Sequence, residues 1–276
     1  MMTALDRICA QDWYVRPGSY IERLIVDATV RPETREPQSS GPVALRPTVD
    51  ARGNAIMQAS MTPSRVAVVP IVGGILKGAK GSDKAYYGLT SHEDIWEDIS
   101  RARSSARAIM LYVNSPGGTV VGTHELASRI ADLAASGYPI ASYTEDQKCS
   151  AAEYITAGCT MSLATPSAIV GSIGTMLAMV DASKFLEKFG IQFNVFTSGK
   201  YKALGHPGKS LTPEQSEWVQ GFVNERAAEF KKHMTSHRPG LEPAHMEGQI
   251  FTGAIAAEFG LIDSTVDSFE EALSLI

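Results

Sequence analysis

Apolar residues recur along this chain in two rhythms, and the two rhythms alternate. Short runs rich in β-branched and aromatic residues, VAVVPIVG (66–73), AIMLYVN (108–114), PIASYTE (139–145), MSLATP with AIVGSIG (161–174) and FNVFTSG (193–199), end in turn residues and read as strands. Between them, 92–105, 119–136, 150–157 and 181–189 place apolar residues at helical spacing. Thr212, Pro213 and Gln215 supply an N-cap, a first-turn proline and a capping-box partner, which predicts a long helix reaching about Met234. Shorter helices are expected near 253–260 and 268–275. This alternation predicts an α/β domain with a parallel-rich sheet layered by helices.

The first quarter of the chain breaks the pattern. Residues 1–30 mix apolar positions with Trp13 and Tyr14 and suggest a short helical segment. Residues 31–65 turn polar and hold Pro32, Pro37, Pro42, Pro47 and Pro63, a composition expected of an extended linker and an exposed place for self-cleavage. The expected division is therefore an N-terminal extension over 1–64 and a folded domain over 65–276.

Composition narrows the function. The chain of 276 residues is 44% hydrophobic and 20% charged with a net charge of −5, enough apolar content for a sizeable core and the wrong sign for nucleic acid. The best apolar runs, 66–76 and 108–113, are too short to span a membrane, and Asp6 and Arg7 stand where a secretory signal needs apolar residues. A cytoplasmic location is expected. Cys9, Cys149 and Cys159 form neither a disulfide framework nor a metal knuckle, and no cofactor or metal is called for.

Two strand-to-helix turns carry candidate chemistry. Asn114-Ser115-Pro116-Gly117-Gly118 is either a tight βα turn or a cradle of backbone N–H groups for a developing oxyanion. Lys148-Cys149-Ser150-Ala151-Ala152-Glu153 places a serine at a helix N-terminus, where it is either an ordinary cap or a nucleophile beside unpaired N–H groups. No histidine offers a base in a telling motif: His124 opens an HExxH-like run that ends in Ser128, and His233 with His237 lacks an adjacent carboxylate. Gly208-Lys209-Ser210 is no phosphate loop, because Ala203 replaces the leading glycine. Lysine remains, since a desolvated lysine can accept a proton near neutral pH. Lys200 and Lys202 follow Ser198-Gly199, and taken alone both read as surface residues.

The order of these pieces resembles the signal peptide peptidase A family of serine proteases. It runs strand, SPGG and helix; Pro139-Ile140 and then Ser150-Ala151-Ala152; Ala164-Thr165-Pro166 and then Gly171-Ser172-Ile173-Gly174; Ser198-Gly199 and Lys202; then a helix beginning Thr212-Pro213-Glu214. Ser-Ala-Ala at the nucleophile, with Trp13 in an N-terminal segment, is most similar to the phage capsid assembly proteases. The resemblance implies a ClpP/crotonase-like fold, a Ser150 nucleophile, a Lys202 base and an oxyanion hole from the N–H groups of Gly118 and Ser150. It also implies Ser172 as the residue that orients the lysine. A substrate cleft bordered by Gly73, Gly74, Gly117, Ala151 and Gly174 follows, with 72–76 and 173–177 as edges for an extended peptide and the loop 77–90 beside it. The partners implied are a polypeptide substrate, such as a phage capsid, portal or scaffold protein, and further copies of the chain in a ring.

Glu153 departs from that family, where a small uncharged residue is usual, and is expected to face away from the site; a carboxylate aimed at the lysine would oppose catalysis. Three other readings compete with capsid processing: a signal-peptide-peptidase-like enzyme that degrades peptides, a crotonase-like acyl-CoA enzyme, and an assembly protein with a vestigial site. The last draws its weight from Glu153.

Overall fold

Seven consecutive residues of Val66–Val72 (β5) and seven of Ala108–Asn114 (β8) pair in parallel at the centre of the molecule, with Val66 opposite Ala108 and Val72 opposite Asn114. The computed structural model describes residues 13–15, 47–49, 55–57, 59–80 and 88–276. In β5, Ala67, Val69 and Ile71 point into one apolar layer while Val66 and Val68 enter another. A strand buried on both faces needs an unbroken apolar run, which is why these segments do not alternate with polar residues.

Around this pair the main sheet adds Ile140–Thr144 (β10), Met161–Ala164 (β12) and Ser264–Thr265 (β15) in parallel, and Ser60–Met61 (β4) antiparallel at the far edge. His92–Arg103 (α1) and Thr123–Ala135 (α2) cover one face through Ile95, Ile99, Ile130 and Leu133. Phe269 and Ala272 of Phe269–Ser274 (α7) cover the other, packed with Tyr143 and Leu163. The expected parallel-rich sheet layered by helices is the observed architecture.

Smaller sheets flank the C-terminal ends of the central strands. Gly117–Thr119 (β9) lies between Gly74–Leu76 (β6) and Trp13–Val15 (β1), with Leu89–Ser91 (β7) beyond β6. Ile169–Gly171 (β13) lies between Gln147–Cys149 (β11) and Ile250–Thr252 (β14). A third apolar cluster joins Ala151–Thr156 (α3), Pro213–His237 (α5) and Gly253–Glu258 (α6) through Tyr154, Phe230, Met234 and Ala256. The capping box read at Thr212 is present, with Thr212 Oγ1 accepting from the Gln215 amide at 3.2 Å.

Two expectations need correcting. FNVFTSG is not a strand: residues 191–197 have no regular structure and no sheet partner, so β-type composition there found nothing to pair with. The stretch 74–76 is not an open edge either, because β6 is flanked by β7 and β9, whereas 173–177 run on past the end of β13 and belong to no named strand. In the N-terminal extension, Pro47–Val49 (β2) and Ala55–Met57 (β3) form an antiparallel pair, and Trp13–Val15 is a strand rather than helix; the rest of residues 1–58, with 81–87 of the 77–90 loop, lies outside the described residues.

Candidate active site

Parallel pairing brings the two candidate turns together. Ser115 bridges Lys148, its N–H donating to Gln147 O at 2.9 Å while the Cys149 N–H donates to Ser115 O at 3.1 Å. The Ser115 hydroxyl donates to Gly73 O at 2.7 Å and accepts from the Gly117 N–H at 3.1 Å, which knits Gly73 into the same turn. β9 then packs on α3. Gly118 is required by proximity: a Cβ there would sit 1.9 Å from Ile75 O. Gly73 is likewise confined, at φ +77° with a notional Cβ 1.8 Å from Gly88 O.

Ser150 stands at the β11–α3 junction with φ 55° and ψ −120°. Its side chain makes no capping bond, its Oγ is buried, and that oxygen has no hydrogen-bond partner among the described residues. An ordinary N-cap adopts extended backbone and spends its oxygen on the first turn, so the cap reading fails on both counts. Positive φ in a residue with a Cβ costs about 1–3 kcal/mol and persists only where the surroundings impose it. Here the Ser150 N–H donates to Gly171 O at 2.8 Å, and Ser150 O accepts from the Tyr154 N–H at 3.0 Å. Ser172 repeats the strain at φ 56°, with its N–H on Gln249 O at 2.6 Å.

The Ser150 N–H is thus occupied by Gly171. The N–H groups that helix geometry leaves without an intrahelical acceptor are those of the first turn of α3, beginning with Ala151. Ala151 is buried beside Ser150, Gly74 and Gly117 are buried on β6 and β9, and Gly174 is half-buried.

Lys202 is not brought to Ser150 within one chain. It lies on an arm that carries the short helix Ser183–Lys188 (α4) and in which no residue from Gly174 to Glu214 is buried, its side chain is exposed, and Ser150 Oγ carries no bond to it. Lys200, the competing lysine, is also exposed, but its amine is taken by the Glu214 carboxylate, which raises the one pKa and lowers the other. The arm displays Val180, Phe185, Phe189 and Phe196, the last 93% exposed. A cavity of about 650 Å³ between α2 and α5, walled by Val120, His124, Tyr154, Arg226 and His233, takes none of the expected site residues into its lining.

Beneath the Ser150 turn lies a group of charges that reading along the chain did not pair. Lys148 and Glu153 are buried with Nζ 3.4 Å from Oε1. Lys148 Nζ also donates to Ser162 Oγ at 2.5 Å and to Ser142 Oγ at 3.5 Å. Farther out, Arg238 Nη1 donates to Asp263 Oδ1 at 2.7 Å, and Asp263 Oδ2 accepts from the Ser162 N–H at 2.7 Å. Burial pushes the Glu153 carboxyl up, against the pull of Lys148 and Arg238. Glu153 therefore has its own counter-charge in the interior; only their five-residue separation across the turn hinted at it.

The known proteins similar to this chain include proteases. A protein named "putative protease" from Methanocaldococcus jannaschii is 31% identical over 203 residues, covering 72% of this chain and 62% of its own. Capsid assembly protease C of Escherichia phage lambda is 27% identical over 211 residues, covering 74% of this chain and 47% of its own. The chain thus spans roughly half to three-fifths of the length of these relatives. Among solved structures, a membrane-bound stomatin-specific protease superposes with a TM-score of 0.43 at 15% identity, covering 78% of this chain and 85% of that one. Residues 132–275, which contain Ser150, Ser172 and Lys202, match the family model described as peptidase family S49, and the chain belongs to that family.

Proposed function

We propose that this chain is a serine endopeptidase with a Ser150/Lys202 dyad. Ser150 Oγ attacks the scissile carbonyl as its proton passes to the neutral Lys202 amine, and the tetrahedral oxyanion is held by backbone N–H groups. Collapse of that intermediate breaks the C–N bond, the lysine returns the proton to the leaving amine, and water then hydrolyses the acyl-enzyme. Gly118 supplies one oxyanion donor. The second is the Ala151 N–H, because the Ser150 N–H would first have to leave Gly171 O. Ser172 orients the lysine. The observation that carries this reading is the Ser150 hydroxyl, buried and without a partner among the described residues on a strained strand-to-helix turn.

Lys202 has to arrive by movement of its arm or from a second copy of the chain. Exposed aromatics on that arm favour the second copy, in keeping with a ring of peptidase domains spanning 65–276 behind an N-terminal extension over 1–64. Similarity to a phage capsid assembly protease supports phage head proteins as substrates, and no helix among the described residues is long and apolar enough to cross a membrane. The vestigial-site reading loses its argument, since the Glu153 carboxylate is engaged by Lys148.

The test is a peptide mass spectrum of unfolded casein incubated with wild type and with Ser150→Ala at mildly alkaline pH. Fragments from wild type alone support the dyad; equal fragments from both remove Ser150 from the mechanism.

A further inference from the structure

The residues two before and three after Ser150 are a lysine and a glutamate, and both are removed from water, with side chains 0% and 2% exposed. Their ends meet at 3.4 Å across the base of the turn that carries the strained serine. Lys148 belongs to β11 and Glu153 to the first turn of α3, so the contact joins the last element before the nucleophile to the first element after it. The lysine is also fixed to the sheet below by the hydroxyls of Ser142 on β10 and Ser162 on β12.

A buried ion pair contributes little net stability against apolar residues of the same volume, because desolvating two charges offsets their attraction. What it contributes is direction, since a charge held by three partners has one place to be. A residue at φ 55° needs that kind of over-determination to stay there. We infer that Lys148 and Glu153 are a positioning pair that holds the Ser150 turn in its left-handed conformation and so keeps the nucleophile aimed. This rests on the reading of Ser150 as nucleophile. Neither residue touches substrate; each acts through the backbone it anchors. Arg238, Asp263 and Cys159 are the other titratable groups around the pair, and the Asp263 carboxylate is already engaged by Arg238.

The test replaces both charges at once, Lys148→Met with Glu153→Leu, and reads kcat and KM on a casein-derived peptide together with amide hydrogen exchange. The expected result is a folded protein whose kcat falls about tenfold to a hundredfold with KM within about twofold, since misplacing a reacting group by an ångström is enough for such a loss. Exchange at 151–154 should speed up about tenfold while 213–237 is unchanged. Wild-type kcat and wild-type exchange in the double variant overturn the proposal. Should the double variant not fold, Glu153→Gln, which keeps the shape and drops the charge, is read in the same way. Ser150→Ala runs beside them: if it cleaves like wild type, the dyad reading falls, and the pair is then judged on exchange alone, with faster exchange supporting the hold and unchanged exchange refuting it.

Discussion

The region from Val66 to Gly171 and the arm from Gly174 to Glu214 follow one another in the chain and have opposite physical characters. The first contains the central strands, buries most of its described apolar side chains and fixes Ser150 by backbone bonds to two neighbouring segments. The second buries no residue, contributes no strand to the sheets of the described residues, and carries Lys202 in solvent on an arm with exposed aromatics. A proposed nucleophile in a strained conformation needs rigid surroundings, whereas a proposed base that must lose its charge needs to be taken out of water by something the described residues of one chain do not supply. On the proposed dyad, the difference locates the unfinished half of the site.

The sharpest way to break this contrast is at the two lysines. Lys202→Ala should lower casein cleavage about a thousandfold, as loss of a general base does, and Lys200→Ala should change it less than about twofold, its exposed pairing with Glu214 being worth little. Equal losses, measured as initial rates, would mean that the arm acts as a whole rather than through one amine.

Glycines give the next largest effect. Gly118→Ala drives a methyl into Ile75 O and should cost about 3 kcal/mol with loss of activity, while Gly199→Ala on the arm, where nothing lies within 4 Å, should stay within about 0.5 kcal/mol. Thermal melts of the two variants decide whether rigidity is confined to the first region.

A smaller effect separates the regions by pH. His92, at the start of α1, bonds Thr123 Oγ1 at 3.0 Å, and burial lowers its pKa from 6.5 to about 4. The unfolded chain takes up this proton below pH 6.5 and the folded chain does not until about 4, so stability falls as pH drops through that window and levels off below it. The loss should reach about 2 kcal/mol by pH 5. His92→Gln should flatten the melting temperature profile between pH 7 and 5; an unchanged slope would assign the effect to other groups, of which His233, lowered to about 4 and stacked on Tyr154, is the first.

What could be read beforehand follows the range of the forces involved. The strand 108–114 and the cap at Thr212 were legible because apolar content and capping chemistry are local. FNVFTSG has the same local signature as a strand, but a strand also needs a partner, and no sheet within the described residues accepts it. β9, β11 and β14, three residues each and partly glycine or polar, carry too little pattern to be seen, yet they build the site. The serine motif pointed to the turn; its positive φ and the occupation of the Ser150 N–H by Gly171 arise from segments 21 residues apart and had no signature in the motif itself. Glu153 read as a departure that turns away from the chemistry, and its meaning changed once Lys148 was found opposite it.

The pairing of Trp13–Val15 with Gly117–Thr119 has a consequence for any peptide that approaches Gly118. A strand on the same polypeptide meets that edge at an effective concentration of order millimolar. A peptide docking there as a strand from solution would trade places with the chain's own backbone, bond for bond. Occupancy of the edge is then an exchange reaction between such a peptide and residues 13–15.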